Sequence, residues 1–196
     1  LSAEYERPEL PTPDINTSVG IINEPQTWEL SFKGAGMIVA VMDSSFAPEH
    51  ESMQVMARPN MAKIKSQADI PTGLPGTFRT LKMPYAWNYY DNTANLASAS
   101  DHGTHVSGTV GASGDPEKAQ VRGVAPEAQI LGMKVFGDDP SISTTYDDIY
   151  VRAIEDAIKL GAAVVNMSLG STASFLVDEE NDPARVAIRK ASESGI

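Results

Sequence analysis

Two residues of this chain are equipped for acid–base chemistry on a substrate. His102 stands in Asp101-His102-Gly103-Thr104-His105-Val106-Ser107-Gly108, and Asp43 ends an apolar run, Met37 to Met42, that leads into Ser44-Ser45. Small and apolar residues follow the histidine, among them Val106, Val110, Gly108, Gly111 and Ala112, which predicts a buried helix with His102 in its first turn. At a helix N-terminus the unpaired backbone N–H groups disfavour a proton on the ring. A carboxylate at hydrogen-bond distance holds one tautomer and favours the imidazolium that forms in reaction. Such a histidine can serve as a general base. Taken singly, His102 reads equally as a satisfied polar group near a core, and Asp43 as a helix cap or turn residue.

The elements that must position this pair alternate along the chain. Asn23-Glu24-Pro25-Gln26 has the form of a helix start, with Trp28 and Leu30 expected on its buried side. Met37-Ile38-Val39-Ala40-Val41-Met42 is the continuous apolar run of a central parallel strand, and it places Asp43 at the carboxyl end, the edge where open α/β sheets keep their sites. Gly34 and Gly36 precede that strand instead of following it, so they do not make a dinucleotide fingerprint. Residues 46–100 are punctuated by proline, with weak helical character from Gln54 to Ala68 and an aromatic cluster from Tyr85 to Tyr90 that reads as packing.

Ala128 to Phe136 predicts a second strand, and Ala162 to Met167 a third. Thr145-Tyr146-Asp147-Asp148 has the pattern of a capping box. It opens a helix with Tyr146, Ile149, Tyr150, Ala153, Ile154, Ala157 and Ile158 inward and Gly161 at its end. Asp182-Pro183 opens a last helix, with Val186, Ala187 and Ile188 inward. Strands alternating with helices predict a three-layer α/β/α fold with a mostly parallel sheet. The three strands are expected to run parallel, and Asp43 is expected to meet His102 through Nδ1 at about 2.6–3.2 Å.

The octet around His102, the Asp43-Ser44-Ser45 that follows a strand, and Asn166-Met167-Ser168-Leu169-Gly170 resemble, in type and order, the subtilisin-like serine proteases. The likeness runs from about Gly20 to Ile196, and Pro84-Tyr85-Ala86-Trp87-Asn88-Tyr89 is closest in look to the cell-envelope proteinases of the lactocepin and C5a peptidase branch. The resemblance implies that His102 is the general base, Asp43 its orienting partner, and Ser168, Leu169 and Gly170 an exposed strand that pairs with the substrate backbone. It implies a serine endopeptidase, secreted or attached to the cell envelope. The family's nucleophile motif Gly-Thr-Ser-Met-Ala and its oxyanion segment Ala-Gly-Asn do not occur in these residues. The reading is therefore the N-terminal part of a catalytic domain, residues 20–196 behind an extended arm over 1–19 that carries Pro8, Pro11 and Pro13. A catalytically silent subtilase-like module that binds peptides or serves as a scaffold is the alternative.

The chemistry requires no cofactor. Calcium is possible in the family, but the position near Ser52 where many members place an acidic ligand departs from that pattern, and no site is identifiable. Asp138, Asp139, Asp147 and Asp148 read as a solvated acidic loop, and His105 as a buried structural histidine. His102 and His105 lack the glutamate and spacing of a zinc-protease helix. A net charge of −11 argues against nucleic acid or an anionic membrane as partner, and no apolar run reaches the length of a membrane span. The expected partners are a protein or peptide substrate and the remaining half of the catalytic domain. No cysteine is present, which excludes thiol catalysis and disulfides. A start without Met is expected of a processed or cut chain.

Overall fold

The computed structural model describes residues 21–22, 24–54, 56, 58–115, 118, 120–139, 144–170 and 181–196; the arm expected over 1–19 lies outside them. Strand β1 (Ile38–Asp43) is buried along its whole length, as its apolar run demands. It pairs in parallel with β4 (Gln129–Lys134) on one side and with β5 (Val164–Met167) on the other. Two strands not foreseen from the sequence extend the sheet. β3 (Tyr85–Asn88) lies parallel to β4, and the two-residue β2 (Thr77–Phe78) pairs antiparallel with β3, giving the order β2-β3-β4-β1-β5.

The layers follow from strand alternation. Ile38, Ala40 and Met42 of β1 enter one core with Leu131 and Met133, against Ile149, Ala153, Ile154 and Ala157 of helix α3 (Asp147–Lys159) and Ala187 and Ala191 of helix α4 (Pro183–Glu193). Val39 and Val41 enter the other core, which Val106 and Val110 of helix α2 (His102–Gly111) cover. One strand thus serves two cores, and helices lie on both faces. This is the mostly parallel α/β/α architecture expected.

Several local expectations are corrected. Helix α1 (Glu24–Glu29) does form, but Leu30 beyond it is 71% exposed, and only Trp28 of the expected pair is partly buried, its indole N–H donating to the Val124 carbonyl at 3.0 Å. Among the described residues from Gln54 to Ala68 no α-helix forms. Pro59 opens a single 3-10 turn (Pro59–Met61), and a second (Gln67–Asp69) is held by the Asp69 carboxylate. The capping box at Thr145 does not form, because the Thr145 hydroxyl is spent on the Val135 carbonyl at 2.5 Å, and Tyr146, at the N-cap, is 54% exposed. On α4 only Ala187 of the three expected residues is buried; Ile188 is 52% exposed. The aromatic cluster does pack. Tyr85 and Tyr89 are buried and share a hydrogen bond at 3.1 Å, and Tyr89 donates to Asp156 of α3 at 2.9 Å. Burial pushes the Tyr85 phenol up to about 12.

A buried lysine ties β4 to the segment before β3. Lys82 is 0% exposed, and its side-chain nitrogen donates to the carbonyls of Pro126 at 2.9 Å and Ala128 at 2.6 Å. Burial pushes its pKa down to about 7, against the opposing charge of Glu127. A neutral amine has two N–H groups for these two carbonyls, so it stays hydrogen-bonded after losing the proton. The unfolded chain keeps the Lys82 proton up to about pH 10.4. Between about pH 7 and that value the unfolded state binds more protons, so folding stability rises with pH; below pH 7 the burial cost is present in full. Denaturant titrations of this chain and of Lys82→Met from pH 6 to 10 should therefore show the wild type gaining on the variant, by on the order of 2–4 kcal/mol across the window.

Candidate active site

Asp43 and His102 meet where β1 ends and α2 begins. His102 Nδ1 lies 2.8 Å from Asp43 Oδ1, with the aspartate side chain 2% exposed and the imidazole 54% exposed. The same carboxylate oxygen accepts from the Ser44 backbone N–H at 2.7 Å and from its hydroxyl at 3.1 Å. A buried carboxylate keeps its charge only when such donors replace water. Ser44 Oγ also lies 3.1 Å from Ser100 Oγ, and Ser100 Oγ accepts the backbone N–H of His102 at 3.3 Å. Two serines therefore link the backbone at both ends of the hydrogen-bonded pair. Neither stood out in the sequence, because isolated serines before a helix and after a strand carry no pattern of their own.

Gly103 decides whether the pair can form. A Cβ there would stand 2.3 Å from the Ser45 carbonyl and 2.8 Å from Asp43 Cβ, so only glycine lets the first turn of α2 come this close to β1. The buried face of α2 consists of Gly103, Ser107 and Gly111, one residue per turn. His105 falls off that face and is exposed, which corrects the expectation of a buried histidine.

Ser168, Leu169 and Gly170 leave the sheet directly after β5. Met42 is level with Met167 in the ladder, so the segment emerges one step on, beside Asp43. Ser168 and Gly170 are exposed, Leu169 packs against the core, and Asn166 Nδ2 donates to Ser168 Oγ at 3.0 Å. The acidic residues are not uniformly solvated. Asp138 bonds the buried Lys134, whose hydrogen bond holds its carboxyl below the usual range, and Asp147 accepts from Tyr150 Oη at 2.6 Å. Among the described residues no group of three or more His, Asp or Glu could hold a metal ion, and no helix is long and apolar enough to cross a membrane. At position 52 a buried serine donates its backbone N–H to His50 Nδ1 at 3.2 Å.

The carboxyl edge of this mostly parallel sheet thus carries a buried aspartate hydrogen-bonded to a half-exposed histidine, an arrangement in which the carboxylate can hold one tautomer of the ring. Residues 34–196 match the model of the subtilase family, peptidase S8. The chain is 41% identical over 172 residues to a PI-type proteinase of Lactococcus lactis subsp. cremoris, covering 84% of this chain and 9% of that protein. It is 33% identical over 154 residues to a C5a peptidase of Streptococcus pyogenes, covering 74% of this chain and 13% of the relative. The chain thus spans about a tenth of the length of these relatives. Among solved structures, the epidermin leader peptide processing serine protease of Staphylococcus aureus superposes with a TM-score of 0.58 at 21% identity, over 99% of this chain and 43% of that one. The chain belongs to the subtilase family.

Gly103→Ala tests the close approach. Helix propensity alone would favour alanine by up to about 1 kcal/mol. The contact with the Ser45 carbonyl is to backbone that cannot rotate away, so overpacking wins, and a net destabilisation of about 1–3 kcal/mol is expected from denaturant unfolding. The Asp43–His102 contact should lengthen with it, read as loss of the His102 Nδ1 proton signal in NMR spectra of the folded variant.

Proposed function

We propose that this chain is the N-terminal part of the catalytic domain of a subtilisin-like serine endopeptidase, with His102 as general base and Asp43 as the carboxylate that orients it. The observation that carries the reading is the 2.8 Å contact of His102 Nδ1 with Asp43 Oδ1. With Nδ1 engaged, Nε2 of the half-exposed ring is the nitrogen that can take a hydroxyl proton. In this reading a serine outside these 196 residues attacks the scissile carbonyl and its proton passes to His102 Nε2. The imidazolium, held by Asp43, then gives the proton to the leaving amine, and water hydrolyses the acyl-enzyme by the reverse exchange. Ser168, Leu169 and Gly170 bind the substrate backbone as an added strand, a role supported by their emergence beside Asp43. No cofactor enters these steps. The substrate is a protein or peptide, the structural partner is the rest of the catalytic domain, and the location is extracellular or at the cell envelope, by family likeness.

In the full-length polypeptide, Asp43→Asn should leave the fold intact and lower kcat by about four orders of magnitude on a casein substrate, and His102→Ala should do at least as much. Near-normal turnover of folded His102→Ala protein would overturn the reading. The 196-residue chain alone should show no turnover sensitive to serine reagents, because an imidazole and a carboxylate without a nucleophile offer no covalent route. A catalytically silent module would instead bind peptides in the full-length protein without hydrolysing them.

A further inference from the structure

The residue beside Asp43 in the sheet is a fully buried lysine that the acid–base pair does not use. Lys134 ends β4 level with Asp43 of β1 and Asn88 of β3, at 0% exposure. An unpaired buried ammonium costs several kcal/mol, and an apolar residue would fill such an inward position without that cost. Lys134 donates to the carbonyl of Ala97 at 3.2 Å and bonds the carboxylate of Asp138 in the turn after β4. Asp138 also takes a hydrogen bond from the Ser98 side chain. The lysine and its aspartate therefore clasp residues 97 and 98 to that turn. The backbone of Lys134 is itself fixed from both sides: its carbonyl accepts from Tyr89 N–H at 2.8 Å, and the next residue, Val135, donates to the Asp43 carbonyl at 2.9 Å.

The clasped segment leads straight into the site. Ser100, three residues beyond Ala97, accepts the His102 N–H and meets Ser44, whose hydroxyl holds Asp43. We propose that Lys134 and Asp138 form a positioning pair that sets the 97–100 segment, and through Ser100 the placement of His102 on Asp43. The proposal rests on the peptidase reading above. It places the effect in the chemical step, because the hydrogen bonds of the pair lead to residues 97 and 98 and from there to His102, and not to Ser168, Leu169 or Gly170.

The test uses Lys134→Met, Asp138→Asn and the double variant in the full-length proteinase, with kcat and KM measured separately and folding followed by circular dichroism. A displacement of about 1 Å costs on the order of 100-fold, so Lys134→Met should lower kcat about 10- to 100-fold, and Asp138→Asn, which keeps a hydrogen-bonding side chain, about 3- to 10-fold. KM should change less than about threefold, and the double variant should be no worse than Lys134→Met, as for residues acting as one unit. In the 196-residue chain, NMR of the His102 Nδ1 proton should show its Asp43-bonded signal weakened in both single variants. Unchanged kcat and an unchanged Nδ1 signal in folded Asp138→Asn and Lys134→Met would overturn the proposal, as would a loss confined to KM. Should Lys134→Met not fold, the partly exposed Asp138→Asn decides by the same readouts. Turnover that survives His102→Ala would defeat the peptidase reading, while the Nδ1 signal would still report on the clasp.

Discussion

The site depends on one steric allowance, the missing side chain at position 103. Helix α2 meets β1 through its first turn, where a Cβ would overlap the Ser45 carbonyl at 2.3 Å. Remove that allowance and the helix stands off the strand by more than the slack of a hydrogen bond. Ser107 and Gly111 continue the small face one and two turns later, so the helix lies flat on the sheet, with Val106 and Val110 packing alongside. The geometry of the Asp43–His102 contact is thus set by the absence of atoms as much as by the two side chains that meet.

Around this contact the carboxyl edge of the sheet is a row of buried polar groups. Asn88, Lys134 and Asp43 stand level on three neighbouring strands. Each finds its side-chain partners outside the sheet and not in its neighbour, although Asp43 Oδ2 is left without one among the described residues. Asn88 donates to the Asn95 carbonyl at 3.0 Å, Lys134 to that of Ala97 at 3.2 Å, and Asp43 receives Ser44 and His102. Burying such groups is costly unless every strong donor and acceptor finds a partner, so the loops that supply partners are drawn to the edge and ordered there. The segment from 93 to 100, irregular in sequence and without helix or strand, takes its shape from these polar residues beneath it.

The two faces of the sheet are unequal in kind. The face under α3 and α4 is a large apolar core, and its buried polar group Asp156 is met by Tyr89 and by Lys159 at 2.8 Å. The face under α2 holds a smaller core around Phe46, Met53, Met83, Leu96 and Ile130, against which the helix lays its small residues Gly103, Ser107 and Gly111. The first supplies most of the apolar burial that holds the sheet, and the second trades packing volume for the close approach that the site requires.

By itself the sequence determined the alternation of elements and singled out Asp43 and His102 as the candidate pair. Apolar runs at 38–42 and 130–133 read as strands covered on both faces, and a histidine opening a glycine-rich helix, with an aspartate ending a strand, stands out through the resemblance that these motifs carry together. Ser168 to Gly170 was legible for the same reason, as the exit of a strand. Tertiary structure decided what has no period. β3 was hidden among aromatics because its partner, β4, lies more than forty residues away. The capping box at Thr145 failed because a distant carbonyl, Val135, competes for the hydroxyl. His105 turned outward because the buried side of α2 is chosen by Gly103 and Ser107. Lys134 carried no signal within the strand expected over 128–136, since the carbonyl and carboxylate that justify burying it come from two loops that only the folded sheet brings together.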